Sequence, residues 1–245
     1  MKKSLLIFAT IVFSFSLQAQ NSFETSKILF IGDSHSYGRY GEVLDKYFRS
    51  KANQVTSISV CGSSPSTWIT TENNLKATNC GYWKKTAPDK EIRAKSHQLS
   101  SFSSEMKSLN PNVVVISLGT NFMGSSKGFL AEKKHIESML KLAQQTNTNC
   151  IWIGPPDLGK SQYKTNLAAG VEEIKKLVES YKCSFIDSSQ LTKYPSGKSD
   201  GIHYAPSESA EWGKAVQKEI EVRFNQFGKM RGNTPPPTQH QQSVQ

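Results

Sequence analysis

The sequence predicts an α/β protein built on a parallel sheet with helices on both faces. Three observations carry that prediction. Five short apolar or β-branched runs recur along the chain, helical periodicity separates them, and the third run, VVVISL at 113–118, is apolar almost throughout. A strand with no polar face is expected where helices cover both sides of a sheet. Strands alternating with helices form parallel sheets through right-handed crossovers, and such sheets bind ligands beyond the carboxyl ends of their strands.

Taken in order, the predicted strands are 27–31 (KILFI), 55–60 (VTSISV), 113–118, 150–154 (CIWIG) and 184–187 (SFID). The predicted helices are 38–50, 91–109, 127–145, 163–182 and 206–227. In 91–109, Ile92, Leu99, Phe102, Met106 and Leu109 recur at roughly helical spacing, which is the basis for that helix. The interval 62–90 shows no clear period. It holds Ser63-Ser64-Pro65-Ser66, Cys80 and several aromatics, and its length suggests a functional loop inserted into the domain.

The two ends of the chain read differently from its middle. Lys2 and Lys3 precede an uncharged, mostly apolar stretch at 5–17, and Ala19 is a small residue suited to the position before a cut. Residues 1–19 are therefore expected to be a cleaved signal peptide, and the protein to be periplasmic or secreted. Beyond residue 20 no apolar run approaches the ~18 residues that cross a bilayer, and no cysteine lies near the cut, so no stable membrane anchor is expected. Residues 20–230 make one domain, and the Pro- and Gln-rich 231–245 are expected to be a disordered tail. A 36% hydrophobic content is enough to build a core and excludes collagen, a coiled coil or disorder throughout. The formal charge of +10 becomes +8 once Lys2 and Lys3 are removed.

Export bears on the four cysteines. Cys61, Cys80, Cys150 and Cys183 are an even set, for which an oxidising compartment favours two disulfides, and four cysteines allow three pairings. Neither C-x-x-C nor H-E-x-x-H occurs, so no metal site is expected.

Four segments could carry chemistry, and each follows a different predicted strand. Gly32-Asp33-Ser34-His35-Ser36 puts a serine on a turn into a helix, where its hydroxyl is exposed and its N–H lies near the helix N-terminus. Simple N-capping would use the same residues. Asp200-Gly201-Ile202-His203 places a carboxylate three residues before an imidazole, close enough to hold Nδ1–H and leave Nε2 to take a serine proton. Gly119-Thr120-Asn121 brings an amide that can donate to an oxyanion, although Gly and Asn also simply end strands. Gly62 offers a backbone N–H, or merely permits a turn. One sheet would bring all four to the same edge. The glycines after the first strand fit neither G-x-G-x-x-G nor the G-x-x-x-x-G-K-[ST] loop, which disfavours nucleotides.

With these blocks in the order ILFIGDSHS, SVCGSS, SLGTN and DGIHY, the sequence resembles the SGNH/GDSL hydrolases from about residue 27 to 227. WIGPP and Trp212 add to the likeness. The resemblance implies a flavodoxin-like three-layer α/β/α sandwich with five parallel strands in the order 2-1-3-4-5. It implies Ser34 as nucleophile, His203 as base and Asp200 as its orienter, with an oxyanion hole made by the N–H groups of Ser34 and Gly62 and by Asn121. It also suggests a Cys61–Cys80 staple and a Cys150–Cys183 bridge between strands that are neighbours in that order. His35 stands where many members have Leu, a variant found among carbohydrate O-acetylesterases and acyltransferases.

The expected activity is that of a serine esterase acting through an acyl-enzyme without a cofactor. The expected substrate is an O-acetylated envelope carbohydrate or a small ester, and nucleic acid is not an expected partner. Trp68, Tyr82 and Trp83 could present sugar-binding faces beside the site, or form the small core of a stapled loop. His35 could line the pocket or pack. The competing functions are a lipase, lysophospholipase or thioesterase on the same fold, an O-acyltransferase, and a non-catalytic carbohydrate-binding protein.

Overall fold

A computed structural model describes residues 26–69, 80–197 and 200–232, with side chains to residue 227. The predicted signal peptide and the tail beyond residue 232 lie outside the described residues. Among the described residues, seven strands form one sheet: β1 (Lys27–Gly32), β2 (Gln54–Val60), β3 (Tyr82–Ala87), β4 (Lys90–Ala94), β5 (Val113–Ser117), β6 (Asn149–Ile153) and β7 (Ser184–Ile186). Their spatial order is β4-β3-β2-β1-β5-β6-β7. The five predicted strands are β1, β2, β5, β6 and β7, all parallel, and they stand in the expected 2-1-3-4-5 order.

The departure from five strands lies in the hairpin β3–β4, which pairs antiparallel to β2 and extends the sheet at that edge. Residues 82–94 are therefore neither irregular loop nor the start of a helix. The predicted helix 91–109 shrinks to α4 (Phe102–Leu109), opened by the Ser101 hydroxyl, which accepts from Ser104 N at 3.2 Å. Strand β4 is an edge strand with exposed residues.

The remaining helices are the short α1 (Ser34–Tyr37), α2 (Arg39–Lys51), the short α3 (Pro65–Ile69), α5 (Gly128–Gln145), α6 (Ser161–Ser180) and α7 (Pro206–Gly232). Helices α2 and α7 cover one face of the sheet. Tyr40, Leu44 and Phe48 recur one turn apart on α2 and meet Trp212, Val216, Ile220 and Phe224 of α7 over Ile28, Phe30, Val113 and Val115. Tyr40 and Trp212 stack with ring centroids 3.7 Å apart. Phe48 is fully buried, and trimming it to Ala would cost about 3–5 kcal/mol. Helices α3 to α6 cover the other face around Trp68, Met106, Met139, Leu140, Trp152 and Ile174.

Buried charge is compensated. Asp45 pairs with Arg49 at 2.9 Å and accepts from Ser57 Oγ at 2.6 Å, and Glu105 pairs with Lys84 at 2.6 Å. Cys61 is bonded to Cys80, with Cα atoms 5.7 Å apart, and Cys150 to Cys183, at 4.8 Å. Among the described residues, no helix is long and apolar enough to cross a membrane.

Candidate active site

The four segments singled out in the sequence meet at the carboxyl edge of the sheet. Ser34 opens α1 immediately after β1, because Gly32 and the Asp33 cap turn the chain there: Asp33 accepts from His35 N at 3.0 Å. The Ser34 hydroxyl oxygen lies 2.9 Å from His203 Nε2, across 169 residues of chain. His203 Nδ1 lies 2.7 Å from Asp200 Oδ2.

The Asp200 carboxyl is set in place by its own loop, its Oδ1 accepting from the N–H groups of Ile202 and His203 at 2.8 Å each. Desolvation acts to raise its pKa, but these N–H groups and the His203 ring outweigh it and hold the carboxyl at about 2. It is therefore ionised at neutral pH. An ionised carboxylate at 2.7 Å keeps the imidazole proton on Nδ1, so Nε2 is the acceptor facing Ser34 Oγ.

The loop carrying both groups is held from behind. Gly201 has φ of +71°, a left-handed conformation that L side chains rarely adopt, and a Cβ there would lie 2.6 Å from Lys160 N. Its carbonyl accepts from Gly159 N and Lys160 N, both at 2.8 Å. The Tyr194 hydroxyl donates to the His203 carbonyl at 3.1 Å, and Asp157 Oδ2 accepts from Tyr194 N at 2.8 Å. The sequence reading missed Tyr194 and Asp157, since an isolated Tyr and an isolated Asp in loops carry no periodic or motif signal.

The expected oxyanion donors lie on adjoining loops. Asn121 sits in a 3₁₀ turn, Thr120–Phe122, just after β5, and its side-chain amide donates to the Ser63 carbonyl at 2.8 Å. Ser63 Oγ donates to the Gly32 carbonyl at 3.3 Å. Ser63 thus joins the loop after β2 to those after β1 and β5. Next to it, Gly62 is exposed, with φ of +74°.

Behind the relay, His35 is buried, its ring centroid 5.2 Å from both His203 and Trp212. Burial and the neighbouring His203 push its pKa down to about 3, so it is a neutral wall. Burial pushes the adjacent Asp33 carboxyl up to about 7.

The three aromatics offered as sugar platforms are a correction. Trp68, Tyr82 and Trp83 are all buried, so none has a face open to a ligand. Trp68 and Tyr82 belong to the core, and Tyr82 stacks on His97 at 4.2 Å. Trp83 donates Nε1–H to Glu91 at 3.0 Å and lies under the Arg93 guanidinium at 5.0 Å. Tyr82 and Trp83 are consumed in anchoring the hairpin and Trp68 in packing α3 onto the core, in line with the stapled-core reading.

Solved structures share this architecture. A carbohydrate acetylesterase from Sinorhizobium meliloti superposes with a TM-score of 0.55 at 12% identity, covering 82% of this chain and 100% of its own. An acetyl-xylooligosaccharide esterase from Geobacillus gives 0.53 at 15%, covering 81% and 96%. The inhibitor-bound aryl esterase of M. smegmatis gives 0.52 at 14%, covering 81% and 99%. The fold is that of the SGNH hydrolases. No family model and no curated protein matches the sequence, so the SGNH likeness rests on three-dimensional arrangement and the short blocks around the site.

Proposed function

We propose that this protein is an exported serine esterase that removes O-acetyl groups from envelope carbohydrate through an acyl-enzyme. The observation that carries the reading is the relay from Ser34 Oγ through His203 to Asp200, with steps of 2.9 and 2.7 Å. Within it, His203 Nε2 takes the Ser34 proton as Oγ attacks the ester carbonyl, and Asp200 stabilises the imidazolium without itself becoming protonated. The N–H groups of Ser34 and Gly62 and the Asn121 amide receive the charge on the carbonyl oxygen. His203 returns the proton to the leaving sugar oxygen. It then takes one from water, whose attack on the acyl-enzyme frees acetate and Ser34.

Export is supported by the Lys2–Lys3 and apolar 5–17 pattern and by two disulfides. An acetylated carbohydrate is supported by the neighbours named for such substrates and by the formal charge of +8 left once Lys2 and Lys3 are removed, which suits an acidic polymer. The test is hydrolysis of p-nitrophenyl esters of increasing chain length by the mature protein and by Ser34→Ala, together with acetate release from O-acetylated polysaccharides. Fast turnover of acetate, slow turnover of chains of about eight carbons or more, and loss of activity in Ser34→Ala are expected. Preference for the long chains would make the protein a lipase. Full activity of Ser34→Ala, or no labelling of Ser34 by a fluorophosphonate, would overturn the serine-esterase reading.

A further inference from the structure

The loop bearing Gly62 has an anchor that the proton relay does not use. Glu132 lies in the second turn of α5, its side chain only 13% exposed. Its Oε1 accepts from Ser64 Oγ at 3.0 Å and from Ser66 Oγ at 2.8 Å, and its Oε2 accepts from Ser66 N at 2.7 Å. The two serine hydroxyls are 2.9 Å apart, and His135 Nδ1 lies 3.5 Å from Oε2. One carboxylate thus gathers three donors from the segment that follows Gly62. Hydrogen bonds to an ionised acceptor are roughly twice as strong as neutral ones.

These bonds close a ring around the donors. The chain runs back from Glu132 along α5 to the 3₁₀ turn that carries Asn121, and Asn121 donates to the Ser63 carbonyl at 2.8 Å. Ser63 is followed by Ser64 and Ser66, which return to Glu132. The other side of Gly62 is held by the Cys61–Cys80 bond and by Cys61 N, which donates to the Gly81 carbonyl at 3.0 Å. A glycine at φ +74° has wide freedom of its own, so the direction of its N–H depends on these flanking attachments.

We propose that Glu132 is a positioning residue for the oxyanion-binding loop: by gathering Ser64 and Ser66 it fixes segment 62–66 so that Gly62 N–H and the Asn121 amide meet one carbonyl oxygen. This rests on the esterase reading above. Because the donors act on charge that develops in the transition state, loosening the loop lowers kcat and leaves ester binding nearly unchanged.

The test compares wild type, Glu132→Ala and Glu132→Gln with p-nitrophenyl acetate, counting working sites by fluorophosphonate labelling. Glu132→Ala is expected to lower kcat per labelled site about ten- to a hundredfold, with KM within about twofold. Glu132→Gln is expected to stay within about threefold of wild type, since its carbonyl oxygen still accepts Ser66 N–H and its amide can donate to a serine hydroxyl. A purely structural Glu132 would change the number of labelled sites and the melting temperature but not the rate per site. A per-site kcat for Glu132→Ala within about twofold of wild type, or equal losses in both variants, overturns the inference. Should Glu132→Ala fail to fold, the Ser64→Ala/Ser66→Ala double variant carries the same expectation, and an unchanged per-site kcat there overturns it equally. Wild-type protein that neither turns over ester nor takes the label removes the esterase reading and this inference together. Normal wild-type turnover with an unaffected Glu132→Ala removes the inference alone.

Discussion

The Asn121 side-chain amide donates to the Ser63 carbonyl at 2.8 Å, across 58 residues of chain. One of its two N–H groups is thereby spent on holding the loop after β2, and the other is the one the proposed mechanism assigns to the substrate oxygen. Asn121→Ala removes both, and kcat is expected to fall by about 10²–10³ with little change in KM. Steady-state kinetics with p-nitrophenyl acetate checks this, and a loss confined to KM would assign Asn121 to binding alone.

Asp200→Asn isolates the role of the carboxylate. The carboxamide oxygen can still accept from Ile202 N and His203 N, so the loop should keep its shape. Its NH₂ group would then face His203 Nδ1 and favour the wrong tautomer. A fall in kcat on the order of 10²–10⁴ is expected with an unchanged melting temperature. Near-wild-type turnover would show that the 2.7 Å contact does not set the imidazole.

Asp33 and His35 should oppose each other in the pH dependence of stability. His35 falls from 6.5 to about 3 in the fold, so between these values the unfolded chain binds a proton that the folded one refuses, and acid destabilises. Asp33 rises from 3.8 to about 7, so in that range the folded chain keeps a proton that the unfolded one releases, and stability is lost as pH rises. Between about pH 4 and 6.5 the two slopes cancel. Asp33→Asn retains a cap for His35 N but leaves the histidine slope alone. Its stability should then drop by about 1.4 kcal/mol per pH unit on acidification below pH ~6.5, relative to wild type. Urea unfolding at several pH values measures it, and parallel curves for the two proteins would refute the pairing of slopes.

The two disulfides should separate stability from activity. Cys150 lies near the start of β6 and Cys183 just before β7, at the amino ends of strands whose carboxyl ends carry the site. Replacing that pair with alanines is expected to cost about 2–4 kcal/mol and leave kcat unchanged. Replacing Cys61 and Cys80 should cost a similar amount and also lower kcat, because Cys61 directly precedes Gly62. Equal kinetic effects from both pairs would contradict this.

How much of this was readable beforehand depended on burial. The five parallel strands are apolar runs such as ILFI and VVVI, so their places in the chain could be anticipated, while their order came only from the SGNH/GDSL resemblance. Both cysteine pairings are those the resemblance implied, Cys61–Cys80 as a local staple and Cys150–Cys183 between neighbouring strands. The hairpin was not legible. Strand β4, KEIRA, is an exposed edge with a single large apolar residue, and Ile92 falls at helical spacing from the apolar residues of α4. Trp68, Tyr82 and Trp83 were ambiguous because an aromatic side chain suits a core as well as a sugar. Glu132, Tyr194 and Asp157 act through loops from other parts of the chain, and nothing local in a helix or loop sequence marks such a partner.

The hairpin also changes what the edge of the sheet offers to another chain. Without β3 and β4, the seven-residue β2 would end the sheet, and its free backbone groups would invite another chain to add on. With them, the outermost strand is short and carries Lys90, Glu91 and Arg93 around Ile92, a charged selvedge that discourages fibril-like stacking. Tyr82 and Trp83, buried and closed to a ligand, thus help seat the strands that cover this edge.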